Sequence, residues 1–286
     1  MTPAEARETA AAPVRIRRIL VAVDSSAHGR AALETAAWLG DRLDAEIEAL
    51  HVEDADLVRL AELPFGREFL LGSGEPRTFD VTVMEERVRS ARFRAQHVFR
   101  TVSAHVRVHT RFRVQRGSVI AELVAAAAEA DLVILGMSSE SVPGRRLGRT
   151  ALAVAERAKI SVLLLRAGAA LSGRPLVCYD GAPDAARALA IARQIALRDE
   201  PVRVLVVAAD DARGQALRAE AEASLWAGGF AAAFTAARSV RPAELCSLCA
   251  RAGADMLAIG AGNALISGPE RAALLEQIGC PVLIVR

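Results

Sequence analysis

The sequence predicts two tandem doubly wound α/β units, each a mostly parallel sheet with helices on both faces. Three observations carry this. Short apolar runs alternate with helical patterns throughout the first half, which is the signature of βα units. "RRILVAVDSSAHGRAALETAAWLG" from Arg17 is echoed by "RPLVCYDGAPDAARALAIARQIAL" from Arg174, so the pattern repeats. The halves also close alike, on "ISVLLLR" and "CPVLIVR", after the matched runs "ADLVILG" and "ADMLAIG".

In order along the chain, "MTPAEARETAAAP" over 1–13 lacks an apolar core and mixes acids with Arg7, which predicts a frayed tail rather than a secretion signal. The first unit is expected over 14–168 and the second, shorter one over 173–286, joined near "AGAALSGRP". First-half strands are expected at 19–23, 47–52, 106–114, 132–135 and 162–165. Right-handed crossovers make each half doubly wound. Val81, Met84, Val88, Ala91, Ala95, Val98 and Val102 recur at helical spacing and predict a helix packed on the sheet.

The third strand alternates Val106, Val108, Thr110, Phe112 and Val114 with His105, Arg107, His109, Arg111 and Arg113. This reads as a charge-guarded edge. No aromatic residues share the face of those arginines, and net charge is only +2, so no nucleic-acid partner is expected. Residues 59–79 have no counterpart in the second half. Pro and Gly punctuate them as an irregular excursion, and Phe65, Phe69, Leu70 and Leu71 make that excursion apolar. It reads either as a flap on its own domain or as a lid or contact for a protein partner.

Apolar residues make up 52% of the chain and aromatics 4%, so the core is built from Val, Leu, Ile and Ala. The most membrane-like window, "VIAELVAAAAEADLVILGM", contains Glu122, Glu129 and Asp131 and reads as a helix followed by a buried strand. A soluble, cytoplasmic protein is expected, with no membrane partner. All four cysteines lie in the second half. "CSLC", Cys246 to Cys249, falls within a helical pattern without a histidine or second pair, so packing explains it better than metal or redox work. Cys178 and Cys280 read as buried small hydrophobes. No motif places a histidine to complete a triad with Asp24, Ser25 or Ser26, and His28 reads as an exposed turn residue.

"ILVAVD" ending in Asp24, "LHVED" around Val52, "ADLVILG" ending in Gly136 and "ISVLLLR" together resemble the universal stress protein family. So do "LVCYD", "ADMLAIG" and "GCPVLIVR" in the second half, in a tandem two-domain arrangement. The resemblance implies a five-stranded parallel sheet in each half, the Rossmann-like fold shared with the adenine nucleotide alpha hydrolases. It also implies that the final strands, 162–165 and 282–285, pair as an internal pseudo-dimer. Some members bind ATP and others do not. In those that bind, a first-strand aspartate and second-strand valine face the adenosine, and a glycine-rich loop before a helix holds the phosphates through backbone N–H groups.

Carried over, the resemblance implies an adenine-nucleotide site at Asp24, Val52, Gly136, Ser139, Gly148, Arg149 and Thr150. Ser139 stands where the second glycine belongs. With Gly148 as the third glycine the loop is one residue short and Arg149 replaces the hydroxyl; with Thr150 as the hydroxyl, Arg149 falls where glycine belongs. Arg145, Arg146 and Arg149 could supply charge. The second copy is shorter between Gly260 and Gly268 and has Pro269 in place of a donor, so no nucleotide is expected there. The expectation is a stress-response binding or regulatory module with partly or fully degenerate nucleotide sites. An ATP-binding sensor using the first half is the alternative, and a weak ATPase the third reading. No metal is expected.

Overall fold

The computed structural model describes residues 14–63, 67–69, 76–78, 80–137, 148–166 and 168–286. The first half runs β1 (Arg18–Ala22), α1 (Ala27–Leu43), β2 (Glu46–Asp54), α2 (Ala55–Ala61), β3 (Arg67–Phe69) and β4 (Pro76–Thr78). It continues through α3 (Val81–Ser103), β5 (Thr110–Gly117), α4 (Val119–Ala127), β6 (Leu132–Gly136), α5 (Arg149–Arg157) and β7 (Ser161–Leu165). The second half runs β8 (Pro175–Tyr179), α6 (Pro183–Ile195), β9 (Val202–Val207), α7 (Asp211–Trp226) and β10 (Ala232–Ala237). It closes with α8 (Pro242–Arg251), β11 (Met256–Gly260), α9 (Ala264–Ser267), α10 (Arg271–Gln277) and β12 (Val282–Val285).

Ten of these strands lie in the order β10-β9-β8-β11-β12-β7-β6-β1-β2-β5. Within each set of five every pairing is parallel. The sets do not form two separate sheets. β12 pairs antiparallel with β7, matching Val282 to Leu164, Leu283 to Leu163 and Ile284 to Val162, so one sheet runs through the molecule. Both strands would otherwise present bare apolar edges, and pairing removes them.

The pleat sends alternate residues to opposite faces, and each face has its own core. Ile19, Val21, Ile47, Leu163, Leu283 and Val285 pack under α1 and α6 on one side. Leu20, Leu50, Val133, Leu164, Leu257 and Ile284 occupy the other. Leu163 and Leu283 belong to the first core, Val162, Leu164, Val282 and Ile284 to the second, so both continue across the junction. Burying each such side chain stabilises the fold by about 1.5–3 kcal/mol.

The third long strand starts later than its alternation suggests. α3 runs to Ser103, and the Arg107 N–H then donates to Asp41 Oδ1 at 2.9 Å, which draws the backbone toward α1 before β5 begins at Thr110. β5 is an edge, as the arginines imply, but two of them fold back on the sheet. The nearly buried Glu48 on β2 takes the Arg111 guanidinium and, at 3.0 Å, that of Arg113. The excursion after β2 is more regular than its punctuation suggests. Asp54 caps α2 through the Asp56 N–H, and β3 and β4 form an antiparallel hairpin. The side chains of Phe65, Phe69, Leu70 and Leu71 lie outside the described residues, as does the tail over 1–13.

Candidate functional site

β1 and β6 are neighbours, yet β1 leads onward to β2 on one side and β6 to β7 on the other. Such a reversal leaves a crevice beyond the carboxyl ends of the two strands. Asp24 stands two residues past β1. Its Oδ1 accepts the Ser26 N–H at 3.0 Å and the Ser26 hydroxyl at 2.5 Å. Ser26 is the N-cap of α1 and accepts the Gly29 N–H at 3.1 Å. Asp24 therefore fixes the cap rather than being it, and no described residue donates to its second oxygen.

Gly136 ends β6 directly beside this turn. A Cβ there would lie 2.6 Å from the His28 Cβ, so only glycine lets α1 approach so closely. His28 is thus a half-buried helix residue against Gly136, not the exposed turn residue its sequence position suggests. Gly29 is required for the same reason, since its Cβ would run into the Asp24 carboxylate. Val52 lies half-buried near the end of β2, held beside β1 where the Val23 N–H donates to Leu50 at 2.9 Å.

Met137 is fully buried, and its carbonyl accepts the Gly148 N–H at 2.5 Å, which ties the start of α5 to the end of β6. Gly148 is the N-cap of α5 and has no side chain to satisfy the first turn. Arg149 is exposed and Thr150 half-buried in that turn. The structure therefore collects Asp24, Val52, Gly136, Gly148, Arg149 and Thr150 at one end of the sheet. Ser139, Gly144, Arg145 and Arg146 lie outside the described residues.

The equivalent end of the second half is arranged differently. Asp180 Oδ1 accepts the Ala182 N–H at 3.0 Å, and its Oδ2 accepts from Asn263 Nδ2 at 2.9 Å. Asn263 Oδ1 accepts the Leu265 N–H at 3.1 Å and so caps α9. Asp184 stands four residues beyond Asp180, as His28 does beyond Asp24, and its carboxylate carbon would lie 2.6 Å from a Cβ on Gly260. Its Oδ2 accepts the Gly262 N–H at 2.6 Å. The backbone donors after β11 are thus met by this chain's own oxygens, one of them on a carboxylate. Sequence reasoning missed Asp184 and Asn263, although the spacing from Asp180 and the "GAGN" stretch were the available signal.

The burial of Cys178, Cys249 and Cys280 matches their reading as core residues, while Cys246 is half-exposed on α8. Burial pushes the Cys178 thiol up to about 12. Among the described residues no group of His, Cys, Asp or Glu is arranged to hold a metal ion, and no helix is long and apolar enough to cross a membrane.

Fold and crevice together define a doubly wound α/β protein with a switch-point cleft and a helix start facing it. The chain belongs to the universal stress protein family, whose sequence model matches residues 15–166, more than half its length. No curated protein matches it. Among solved structures it is similar to a universal stress protein from Archaeoglobus fulgidus DSM 4304, with 16% identity and a TM-score of 0.69. That match covers 96% of this chain and 97% of the other. It is also similar to a universal-stress-type protein from Pseudomonas aeruginosa UCBPP-PA14, with 15% identity and a TM-score of 0.57 over 94% of this chain and 93% of that one. Both likenesses span both halves, so the whole two-part fold is shared.

Proposed function

We propose that this chain is a stress-response binding module, regulatory rather than catalytic, with one crevice for an adenine nucleotide and that crevice in the first half. On this reading 14–168 and 173–286 are two tandem domains held as an internal pseudo-dimer. One contrast carries the proposal. Asp24 keeps a carboxylate oxygen that no described residue satisfies, whereas Asp180 has both oxygens engaged and Asp184 occupies the adjoining backbone N–H. A carboxylate already seated where an anion would dock repels a phosphate and removes a donor from it.

In the first half, Asp24 and Val52 would take the adenosine, as family membership suggests. Gly136, Gly148 and the first turn of α5 would approach the phosphates, with Ser139 and Thr150 adding hydroxyl donors and Arg149 charge. The Ser26 hydroxyl, committed to Asp24 and the Gly29 N–H, supports no serine-nucleophile chemistry in this crevice.

Calorimetric titration with ATP, ADP, AMP and cyclic AMP tests the proposal. It expects about one site per chain, weakened at least about tenfold by Asp24→Ala and unchanged by Asp180→Ala. No binding of any of the four would make both crevices degenerate and leave recognition to surfaces such as 59–79.

A further inference from the structure

The long sheet ends on two strands that are protected very differently. β5 carries Arg111, Arg113 and Arg116, charges that discourage another strand from adding there. β10, "AAFTAA", carries no charge and no proline. The carbonyls of Ala231 and Ala237 accept from the Val202 and Ala208 N–H groups at 2.8 and 3.1 Å, so the odd-numbered residues turn their backbone groups toward β9. Those of Ala232, Phe234 and Ala236 then point outward, and among the described residues no strand pairs with them.

α7 leaves the end of β9 and returns to the start of β10, where the Phe230 N–H donates to the Leu225 carbonyl at 3.1 Å. The Arg218 guanidinium lies over the Phe234 ring, 5.0 Å from its centre, and so marks the side of α7 that faces the open edge. Glu222 and Trp226 follow on the same side at successive i+4 steps, and Trp226 is 80% exposed. At the other end of this edge is an open cavity of about 460 Å³, lined by Asp211, Gln215, Arg218, Phe234, Ala236 and Arg238. α7 is about 24 Å long, with the cavity beside its first turns and Trp226 at its last residue, so the indole does not reach the cavity of its own chain.

We propose that β10 is a self-association edge, at which a second copy of this chain pairs antiparallel and each copy's Trp226 enters the other's cavity. A two-fold axis through Phe234 sets it opposite the partner's Phe234, and Ala232 opposite the partner's Ala236. The three outward-facing residues of each copy then exchange N–H···O=C bonds. The same rotation lays the end of one α7 beside the start of the other, where knob and hole meet. Arg218 and Arg238 line that hole, and a guanidinium against an indole face adds a cation–π attraction. The contact also closes on itself. Once two copies have paired, both outer edges are β5, which the arginines guard. A foreign strand would satisfy the same backbone groups but leave Trp226 and the cavity open, which is why the occupant is a second copy.

Sedimentation equilibrium of the full chain between about 1 and 100 μM tests the proposal. Fluorescence of a Trp38→Phe chain reports on Trp226 alone, since the sequence holds two tryptophans. The expected result is a reversible monomer–dimer equilibrium with no larger species. Emission should shift to the blue and lose acrylamide quenching as dimer forms. Trp226→Ala, at an exposed position that leaves the fold intact, should weaken association at least about tenfold. Ala236→Pro should do the same, because it removes an outward N–H and spares the ladder to β9. If the proline unfolds the chain, Thr235→Arg, on an exposed side chain, supplies an edge charge in its place. A chain still monomeric at the highest concentration, a folded variant that dimerises as tightly as the parent, or an indole that stays quenchable in the dimer would each overturn the proposal.

Discussion

Arg166 and Arg286 hold each other's halves. Arg166 follows β7, and its guanidinium donates to the carbonyls of Ile278, Leu275 and Glu276 at 2.9, 3.0 and 2.6 Å, where α10 ends. Arg286 follows β12 and reaches the carbonyls of Ile160, at 3.0 Å, and Ala155, where α5 ends. Because β7 and β12 run antiparallel, the residue leaving each strand arrives at the final helix of the opposite half. Cations at helix C-termini satisfy orphan carbonyls and oppose the helix dipole.

Replacing either arginine by alanine is therefore expected to cost about 2 kcal/mol in urea denaturation, from charge-assisted bonds lost to partly buried carbonyls. Arg166→Lys should recover less than half of that loss, since an ammonium cannot span three carbonyls as the planar fork does. Full stability in Arg166→Ala would show these bonds to be incidental.

Leu163 and Leu283 face each other at the centre of the sheet, at most 1% exposed. Truncating either to alanine should destabilise the chain by about 2–5 kcal/mol. Since each borders the other's cavity, the double variant should fall short of the sum by at least about 0.5 kcal/mol. A strictly additive cycle would mean that the two halves do not share a core at this point.

Gly136→Ala places a methyl 2.6 Å from the His28 Cβ and must push back the start of α1. The expected loss is about 1–3 kcal/mol. Truncating His28 to alanine leaves the offending Cβ in place and should not help, whereas His28→Gly in the same chain should restore part of the stability. Thermal melts of the two double variants separate these outcomes.

Asp184→Ala removes the acceptor of the Gly262 N–H, and Asn263→Ala strips Asp180 Oδ2 of its donor and α9 of its cap. Each should cost about 1 kcal/mol. Their losses should be less than additive, as for members of one network around the same turn. Chemical denaturation of the single and double variants provides the measure.

Much of this architecture is readable from local pattern. The apolar runs ending in Asp24 and Asp180 mark the start of each half, and "ISVLLLR" and "CPVLIVR" mark its closing strand, because burial in a parallel sheet leaves continuous hydrophobic runs; that the closing strands pair is what the family resemblance implies. What escapes the sequence is side-chain reach across long separations. Nothing local says that Arg286 meets Ala155, that Asp41 diverts the chain at Arg107, or that Arg166 meets Ile278. The family resemblance, not the residues alone, points to Asp24, Val52 and Gly136 as a candidate site, while the place of His28 escapes the sequence because its neighbour, Gly136, lies on a distant strand. In the second half the shortened loop was legible, but the closure by Asp184 and Asn263 depends on the close approach of α6 to Gly260.

The antiparallel seam between β7 and β12 also decides how the two ends of the molecule relate. Carboxyl ends of the first five strands point one way and those of the other five the opposite way, so the two clefts open on opposite poles. A molecule seated in the first cannot bridge to the second. Any signal between them must cross the junction of the halves, through the shared sheet, the crossed arginines or the packing of α1 against α6, and a protein docking at one pole need not compete with a ligand at the other.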